Sequence, residues 1–198
     1  MKTICITGLD GCGKTTQAKL LVEKLPDSRI VSVWDLIKRP EFQSWSIYKI
    51  PPDVEQYVAN LHPVSRSLFI FHAFDAAYRS ALKSGADYII FDGYWYKYWA
   101  VEQAMGAPPE LGHFFSSQYL EPDYIFYLML PLEELLKRKK QISVYEAANQ
   151  TDRIKAFLDI QNRAGEILQN LLPEPSIVLD ATENVEYLHQ KILKNLNF

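Results

Sequence analysis

From Gly8 to Thr16 the chain reads Gly8-Leu9-Asp10-Gly11-Cys12-Gly13-Lys14-Thr15-Thr16. This fits the phosphate-binding pattern G-x-x-x-x-G-K-[ST] at every position. Glycines let the backbone curl and aim its N–H groups at phosphate oxygens. Lys14 reaches the outer phosphates, and the Thr15 hydroxyl can ligate Mg²⁺. Gly8, Asp10, Gly11, Cys12, Gly13, Lys14, Thr15 and Thr16 are therefore expected to cradle a nucleoside triphosphate with Mg²⁺. The four fixed positions arise by chance in about one chain in a hundred of this length, given average glycine usage. The bland alternative is a glycine-rich turn before a helix.

A phosphate loop works only between a strand and a helix. The apolar run Ile4-Cys5-Ile6 precedes this one, and Ala18, Leu21, Val22 and Leu25 follow at helical spacing. The helix N-terminus adds partial positive charge. Further along, strands alternate with helices. Arg29–Trp34 reads as a second strand, and 35–60 as an irregular segment punctuated by Pro40, Pro51 and Pro52. Pro63 opens a long helix to about Lys83, ended by Gly85. Asp87–Asp92 is a third strand, short helices fill 97–120, and Tyr124–Leu130 is a fourth strand closed by Pro131. Ile154, Phe157, Leu158, Ala164, Ile167, Leu168 and Leu171 mark an amphipathic helix. Ile177–Leu179 is a fifth strand, and Val185, Leu188, Ile192 and Leu196 line a last helix. Such alternation predicts an α/β fold of the P-loop NTPase type in three layers. A central parallel sheet of about five strands carries helices on both faces. Ligands then bind beyond the carboxyl ends of the strands. The loop, Asp92 and Asp180 all lie at such ends.

The 198 residues suit one domain with a large core. A net charge of −3 gives no basic footprint for nucleic acid. Cys5 and Cys12 have no metal-type partner spacing and no disulfide framework, so reduced thiols and a cytoplasmic location are expected. The start of the chain does not read as a signal peptide, and no apolar stretch is long enough to cross a bilayer. Four scattered histidines show no zinc-ligand spacing.

At this point the chain resembles the thymidylate kinase family of P-loop nucleoside monophosphate kinases. Asp10 stands where that family places an acidic residue reaching towards the acceptor sugar. Ala81-Leu82-Lys83-Ser84-Gly85 leads into the strand ending at Asp92, like the family's segment before its Asp-Arg-Tyr motif. Asp152-Arg153 opens a helix containing Phe157, like the segment after the lid, and Leu179-Asp180-Ala181 resembles the last strand. The likeness spans nearly the whole chain. It implies one kinase domain over 1–198, with a short lid around 138–152. It also implies ATP and Mg²⁺ as cofactors, dTMP as the first candidate acceptor, and a homodimer. There are departures. The motif reads Asp92-Gly93-Tyr94, so the phosphate-clamping arginine is missing. The Glu-Pro-Gly signature after the second strand is replaced by Trp34-Asp35-Leu36. The long helix has no clear match to the family's arginine.

Phosphoryl transfer needs positioning and charge neutralisation. Lys14 and Asp92 are the expected catalytic groups, with Thr15 and Asp92 at the metal, and the resemblance implies a lid arginine as well, for which Arg138 and Arg153 are the candidates. Asp92 is otherwise a solvated strand-end carboxylate, and Asp10 a turn former bonding its own backbone. Lys137-Arg138-Lys139-Lys140 is either a lid cation cluster or a solvated basic helix end. Asp10, Phe69, His72, Arg66, Arg79 and Tyr94 are expected around the acceptor. Arg66 or Arg79 stands in for the missing arginine, and Phe69 stacks on a base. The alternative for the long helix is an exposed face with local ion pairs. Tyr94–Trp99 either sandwiches a base or packs a core or dimer interface. A kinase for another small acceptor and a nucleotide binder without transfer activity are the competing functions. A guanine-reading Asn/Thr-Lys-x-Asp motif is absent, which disfavours a GTPase switch.

Overall fold

Ile4, Cys5 and Ile6 are all fully buried, although strand neighbours point to opposite sides. Both faces of the first strand are therefore covered. The computed structural model describes residues 1–35, 39–42 and 54–196. Leu36, Pro51 and Pro52, named above, lie outside the described residues. Five strands form the sheet: β1 (Lys2–Thr7), β2 (Ser28–Val31), β3 (Tyr88–Asp92), β4 (Tyr124–Met129) and β5 (Ile177–Asp180). Their order is β2-β3-β1-β4-β5, and every pairing is parallel. From β1 the chain goes to the far edge with β2, returns to place β3 beside β1, and then builds the other side with β4 and β5, so the loop after β1 sits at the topological switch point. Ile6 lies opposite Asp92, and Thr7 opposite Tyr127. This register brings the loop and Asp92 to one sheet edge.

Eight helices are described: α1 (Lys14–Lys24), α2 (Val54–Ala59), α3 (Pro63–Leu82), α4 (Trp95–Ala104), α5 (Glu110–Ser116), α6 (Leu132–Arg138), α7 (Arg153–Leu171) and α8 (Val185–Asn195). Their starts follow local chemistry. Asp152 accepts the Lys155 N–H at 3.1 Å to cap α7, and Asn184 accepts that of Tyr187 at 2.8 Å to cap α8. α1 packs over β1, β2 and β3 and meets α8, while α4 runs along α7 and touches α3.

Two expectations are corrected, and one alternative is decided. Val54–Ala59, inside the segment read as irregular, is the helix α2. The second strand ends at Val31 rather than Trp34. The Asp35 carboxylate accepts the Ser32 N–H at 3.1 Å, and the Ser32 hydroxyl accepts the Trp34 N–H at 3.3 Å. These local bonds replace the strand ladder. The aromatic run 94–99 resolves towards core packing, with Tyr94 and Trp99 at most 2% exposed. Tyr94 packs its ring 4.6 Å from that of Phe91 and edge-on to Phe74 at 5.5 Å. Trp99 meets Phe71 of α3 edge-on at 6.3 Å, whereas Tyr98 of the same run lines the cavity beside the phosphate loop.

Candidate active site

Gly8 shows why the loop must begin with glycine. Its φ is +143°, and a Cβ there would lie 2.5 Å from the Leu128 carbonyl oxygen and 2.7 Å from Cys12 Sγ. Only a residue without a side chain lets the loop turn this tightly against β4. Lys14 then opens α1 and folds back, donating to the Leu9 carbonyl at 2.7 Å. Thr15 donates its hydroxyl to Asp92 Oδ2 at 2.6 Å. The hydroxyl from the loop and the carboxylate from β3, 77 residues apart, are thus within bonding distance of each other. This oxygen pair suits a hard cation.

Asp10 leaves the loop towards the opposite wall. Gln161 of α7 holds it twice: Oε1 accepts the Asp10 N–H at 3.1 Å, and Nε2 donates to Oδ2 at 3.3 Å. Lys97, in the first turn of α4, meets Asp10 Oδ1 at 2.8 Å, and Lys14 stands 3.9 Å from the same oxygen. Burial alone would raise the Asp10 carboxyl. The Lys97 and Lys14 charges outweigh it and hold the group well below the usual carboxylate range. Burial likewise opposes the Lys14 charge, while Cys12, then Asp10 and Asp92, raise its pKa. Burial pushes the Cys12 thiol up, so Cys12 is a neutral neighbour.

These groups line one cavity of about 360 Å³, with Ser32, Val33, Trp34, Tyr98, Lys139 and Glu146 on its other walls. Lys139 is paired with Glu146 across the segment between α6 and α7. Among the described residues, three ammoniums (Lys14, Lys97, Lys139) thus face three carboxylates (Asp10, Asp92, Glu146). A polyphosphate entering this space would bring uncompensated negative charge, which a divalent cation on Thr15 and Asp92 would offset. A cavity of about 120 Å³ shares the wall made by Asp10, Val33, Trp34, Lys97, Tyr98 and Glu146 and adds Glu55, Ile70, Ser143 and Tyr145. Trp34 and Tyr145 meet edge-to-face at 6.1 Å. A third cavity, about 490 Å³, lies on the far side of the loop between Gly11–Gln17 and Ala181–Leu188, with Arg138 on its rim.

The expected site residues fall into two groups. Gly11, Gly13, Lys14, Thr15, Thr16, Asp10 and Asp92 come together in the main cavity, and Cys12 faces the third. The acceptor set is dispersed, Asp10 apart. Arg66 is 3% exposed and points into the protein, its Nε 2.7 Å from Glu102 Oε2. Tyr94 is fully buried. Phe69 packs edge-on to Tyr57 at 5.7 Å, His72 is exposed, and Arg79 pairs with Asp75 at 2.9 Å on the surface of α3. Arg138 reaches the third cavity rather than the main one, and Arg153 is exposed at the start of α7. The basic cluster divides accordingly: Lys137 pairs with Glu134 outside, whereas Lys139 turns inward.

Trp34, Tyr145, Glu146 and Gln161 are the contributors that sequence reasoning missed, and Lys97 and Tyr98 were read only as part of the run 94–99. A signal existed for Lys97 alone. It is the lone charge in the aromatic run 94–99, and a cation inside such a run needs an anionic partner. Tyr145 had none: its hydroxyl donates to Glu102 Oε1 at 2.8 Å, 43 residues away. That bond joins a buried network in which Arg66 and Ser67 also donate to Glu102. Burial pushes the Glu102 carboxyl up, and these three donors pull it back.

A strand, a glycine-lined loop ending in Gly-Lys-Thr and a helix, set at the switch point of a parallel sheet, define a P-loop nucleotide-binding protein. A family model described as thymidylate kinase matches residues 6–192. The chain belongs to the thymidylate kinase family. A probable thymidylate kinase 1 of Saccharolobus solfataricus is 30% identical over 166 residues, covering 82% of this chain and 80% of that protein. A probable thymidylate kinase of Methanococcus maripaludis is 26% identical over 161 residues, covering 78% and 74%. Among solved structures, the thymidylate kinase of Candida albicans superposes with a TM-score of 0.72 at 20% identity, over 98% of this chain and 90% of that one. A deoxyadenosine kinase of M. mycoides with bound dATP gives a TM-score of 0.67 at 17% identity over the whole of both chains. Both likenesses are of fold.

Proposed function

We propose that this protein transfers the γ-phosphoryl group of ATP to dTMP, with Mg²⁺. One observation carries the reading. The phosphate loop, the Thr15–Asp92 oxygen pair and Asp10 open into one cavity that continues into a smaller one walled by Trp34, Ile70 and Tyr145. A polyphosphate and a flat nucleoside can therefore meet end to end. The family and its named relatives support thymidylate as the acceptor.

The residues present fit the two cofactors. The loop amides and Lys14 would hold the ATP phosphates, and Thr15 with Asp92 would hold Mg²⁺. The ion, when bound, neutralises charge on the phosphate oxygens. Lys14 keeps its proton and stabilises charge on the transferring group. Asp10, fixed by Gln161, orients the acceptor. The third cavity, with Arg138 at its rim, suits the ATP base and ribose. The segment 138–152 acts as a lid: Tyr145 anchors it to Glu102, and Asn149 donates to Asn60 at 2.9 Å. Closing it would exclude water and limit hydrolysis. Arg153, at the lid's end, is the second lid cation. The exposed Leu68 on α3 and Phe114 on α5 support a homodimer, which light scattering tests. No described helix is long and apolar enough to cross a membrane, and both cysteines are free, which fits the cytoplasmic reading.

Glycine after Asp92 favours a second reading, in which the acceptor is a nucleoside carrying no phosphate to clamp. One experiment separates them. ADP formation from Mg²⁺-ATP is measured against nucleoside monophosphates and nucleosides, with Lys14→Ala as control. Selective, Lys14-dependent turnover of dTMP is expected. Turnover of nucleosides alone would replace the acceptor. ATP binding with silence across the panel would leave a non-transferring binder.

A further inference from the structure

The family resemblance calls for an arginine directly after Asp92, and this chain has Gly93. The structure shows why an arginine cannot simply be written in. Gly93 has φ +81°, and a Cβ there would lie 3.1 Å from the Tyr98 hydroxyl and 3.4 Å from its ring carbon. That hydroxyl is committed: it donates to the Asp92 carbonyl at 3.1 Å and accepts the Val33 N–H at 3.3 Å. Tyr98 thus occupies the space into which a side chain at 93 would grow. It also ties the end of β3 to the turn carrying Trp34.

A cation is nevertheless delivered to this place from one helical turn further on. Lys97 enters the cavity from α4 with its side chain 11% exposed, and its ammonium lies 2.8 Å from Asp10. Lys14 and Lys139 line only the main cavity. Among the described residues, Lys97 is the one cation lining both the main cavity and the smaller one beyond it. It therefore stands where the two spaces join. Arg66 and Arg79 do not line either cavity: the first is buried against Glu102, the second paired with Asp75 outside.

We infer that Lys97 takes over the work of the missing arginine and binds the phosphate of the acceptor nucleotide, with Gly93, Tyr98 and Lys97 acting as one exchanged unit. This rests on the reading of the protein as a nucleoside monophosphate kinase. In the free protein Asp10 holds the ammonium in place. When the acceptor arrives, Lys97 shares its N–H groups between Asp10 and the phosphate oxygens. A lysine binds there as a point charge rather than as a planar fork.

The test compares a ligand with and without its phosphate. Kd for dTMP and thymidine, and KM for dTMP and ATP, are measured on wild type, Lys97→Met and Lys97→Arg. Lys97→Gln, which can still bond Asp10, is run beside them so that misfolding of the Met variant leaves the question answerable. Lys97→Met and Lys97→Gln are expected to weaken dTMP by about 10- to 100-fold, as loss of a charge-assisted phosphate contact does. Thymidine and ATP should weaken several-fold less than dTMP, because only dTMP brings an acceptor phosphate to that contact, and Lys97→Arg should recover most of the loss. Equal weakening of thymidine and dTMP would make Lys97 only the counter-ion of Asp10 and overturn the inference. So would unchanged dTMP binding in Lys97→Met and Lys97→Gln while the wild type turns dTMP over, and the kinase reading would then stand alone. A wild type that neither binds nor phosphorylates any monophosphate would remove that reading and the inference together.

Discussion

The loop from Gly8 to Thr16 and the wall facing it are built in opposite ways. The loop is nine consecutive residues whose geometry is dictated locally, by Gly8 against β4 and by the start of α1. The facing wall draws on the turn at Ser32–Trp34, on α3, on the first turn of α4 and on the lid. Its members are held by long-range pairs: Lys97 by Asp10 of the loop, and Tyr145 by the buried Glu102, which Arg66 also holds. A contiguous motif keeps its chemistry wherever a strand and helix can hold it. An assembled wall can exchange residues, provided that the space and charge at the cavity are kept. The exchange of an arginine at 93 for Gly93, Tyr98 and Lys97 is of that kind.

This contrast can be broken most forcefully at the wall. Arg66→Met leaves Glu102 buried without its cation and should cost about 3–5 kcal/mol of stability. For a chain of this length that lowers Tm by roughly 6–20 °C, read by calorimetry. A loss under about 1 kcal/mol would show the pair, and with it this support of the wall, to be dispensable. At the loop, Lys14→Ala should lower kcat on the order of 10²- to 10³-fold, as removal of one preorganised charge does. Circular dichroism should show the fold retained. Loss of fold with loss of activity would mean that the loop, too, is a structural keystone.

Smaller effects sharpen the picture. Tyr145→Phe removes one donor from Glu102 and should cost about 1–2 kcal/mol, seen in denaturant titration. It should also raise KM for the acceptor more than for ATP, since Tyr145 lines only the smaller cavity. Equal effects on both substrates would argue against a separate acceptor wall. Away from the cleft, His189 is 1% exposed between α8 and α1, its Nδ1 3.2 Å from Gln17 Oε1. Burial depresses its pKa below the ordinary 6.5. Below pH 6.5 the unfolded chain takes up a proton that the folded one refuses. Stability should therefore fall as pH drops, by up to about 1.4 kcal/mol per pH unit, until the folded pKa is reached. His189→Asn should flatten the Tm profile between about pH 7 and 5. An unchanged slope would place the titration elsewhere.

Much of this protein was decided by sequence alone, because its physics is local. Alternating apolar runs and helical periodicity require strands covered on both faces, and β1, β3 and β4 are. Pro63, Asp152 and Asn184 mark helix starts through bonds or restrictions that span three residues at most. The phosphate loop carries its spacing, its glycines and its cation in one stretch. Asp92 was legible because a strand-end carboxylate has one direction in which to leave a parallel sheet. What the tertiary structure alone decided is which cations face the cavity. Apart from Lys97, set alone among aromatic residues, the sequence offers Arg66, Arg79, Arg138, Arg153 and Lys139 on comparable terms, since charge and helical spacing say nothing about which face meets solvent. Packing of α4 along α7 turned Lys97 to Asp10, and the Glu102 network took Arg66 out of reach. Those outcomes depend on contacts between residues 36 to 151 positions apart. No periodicity in the chain encodes such contacts; they exist only once the core has closed.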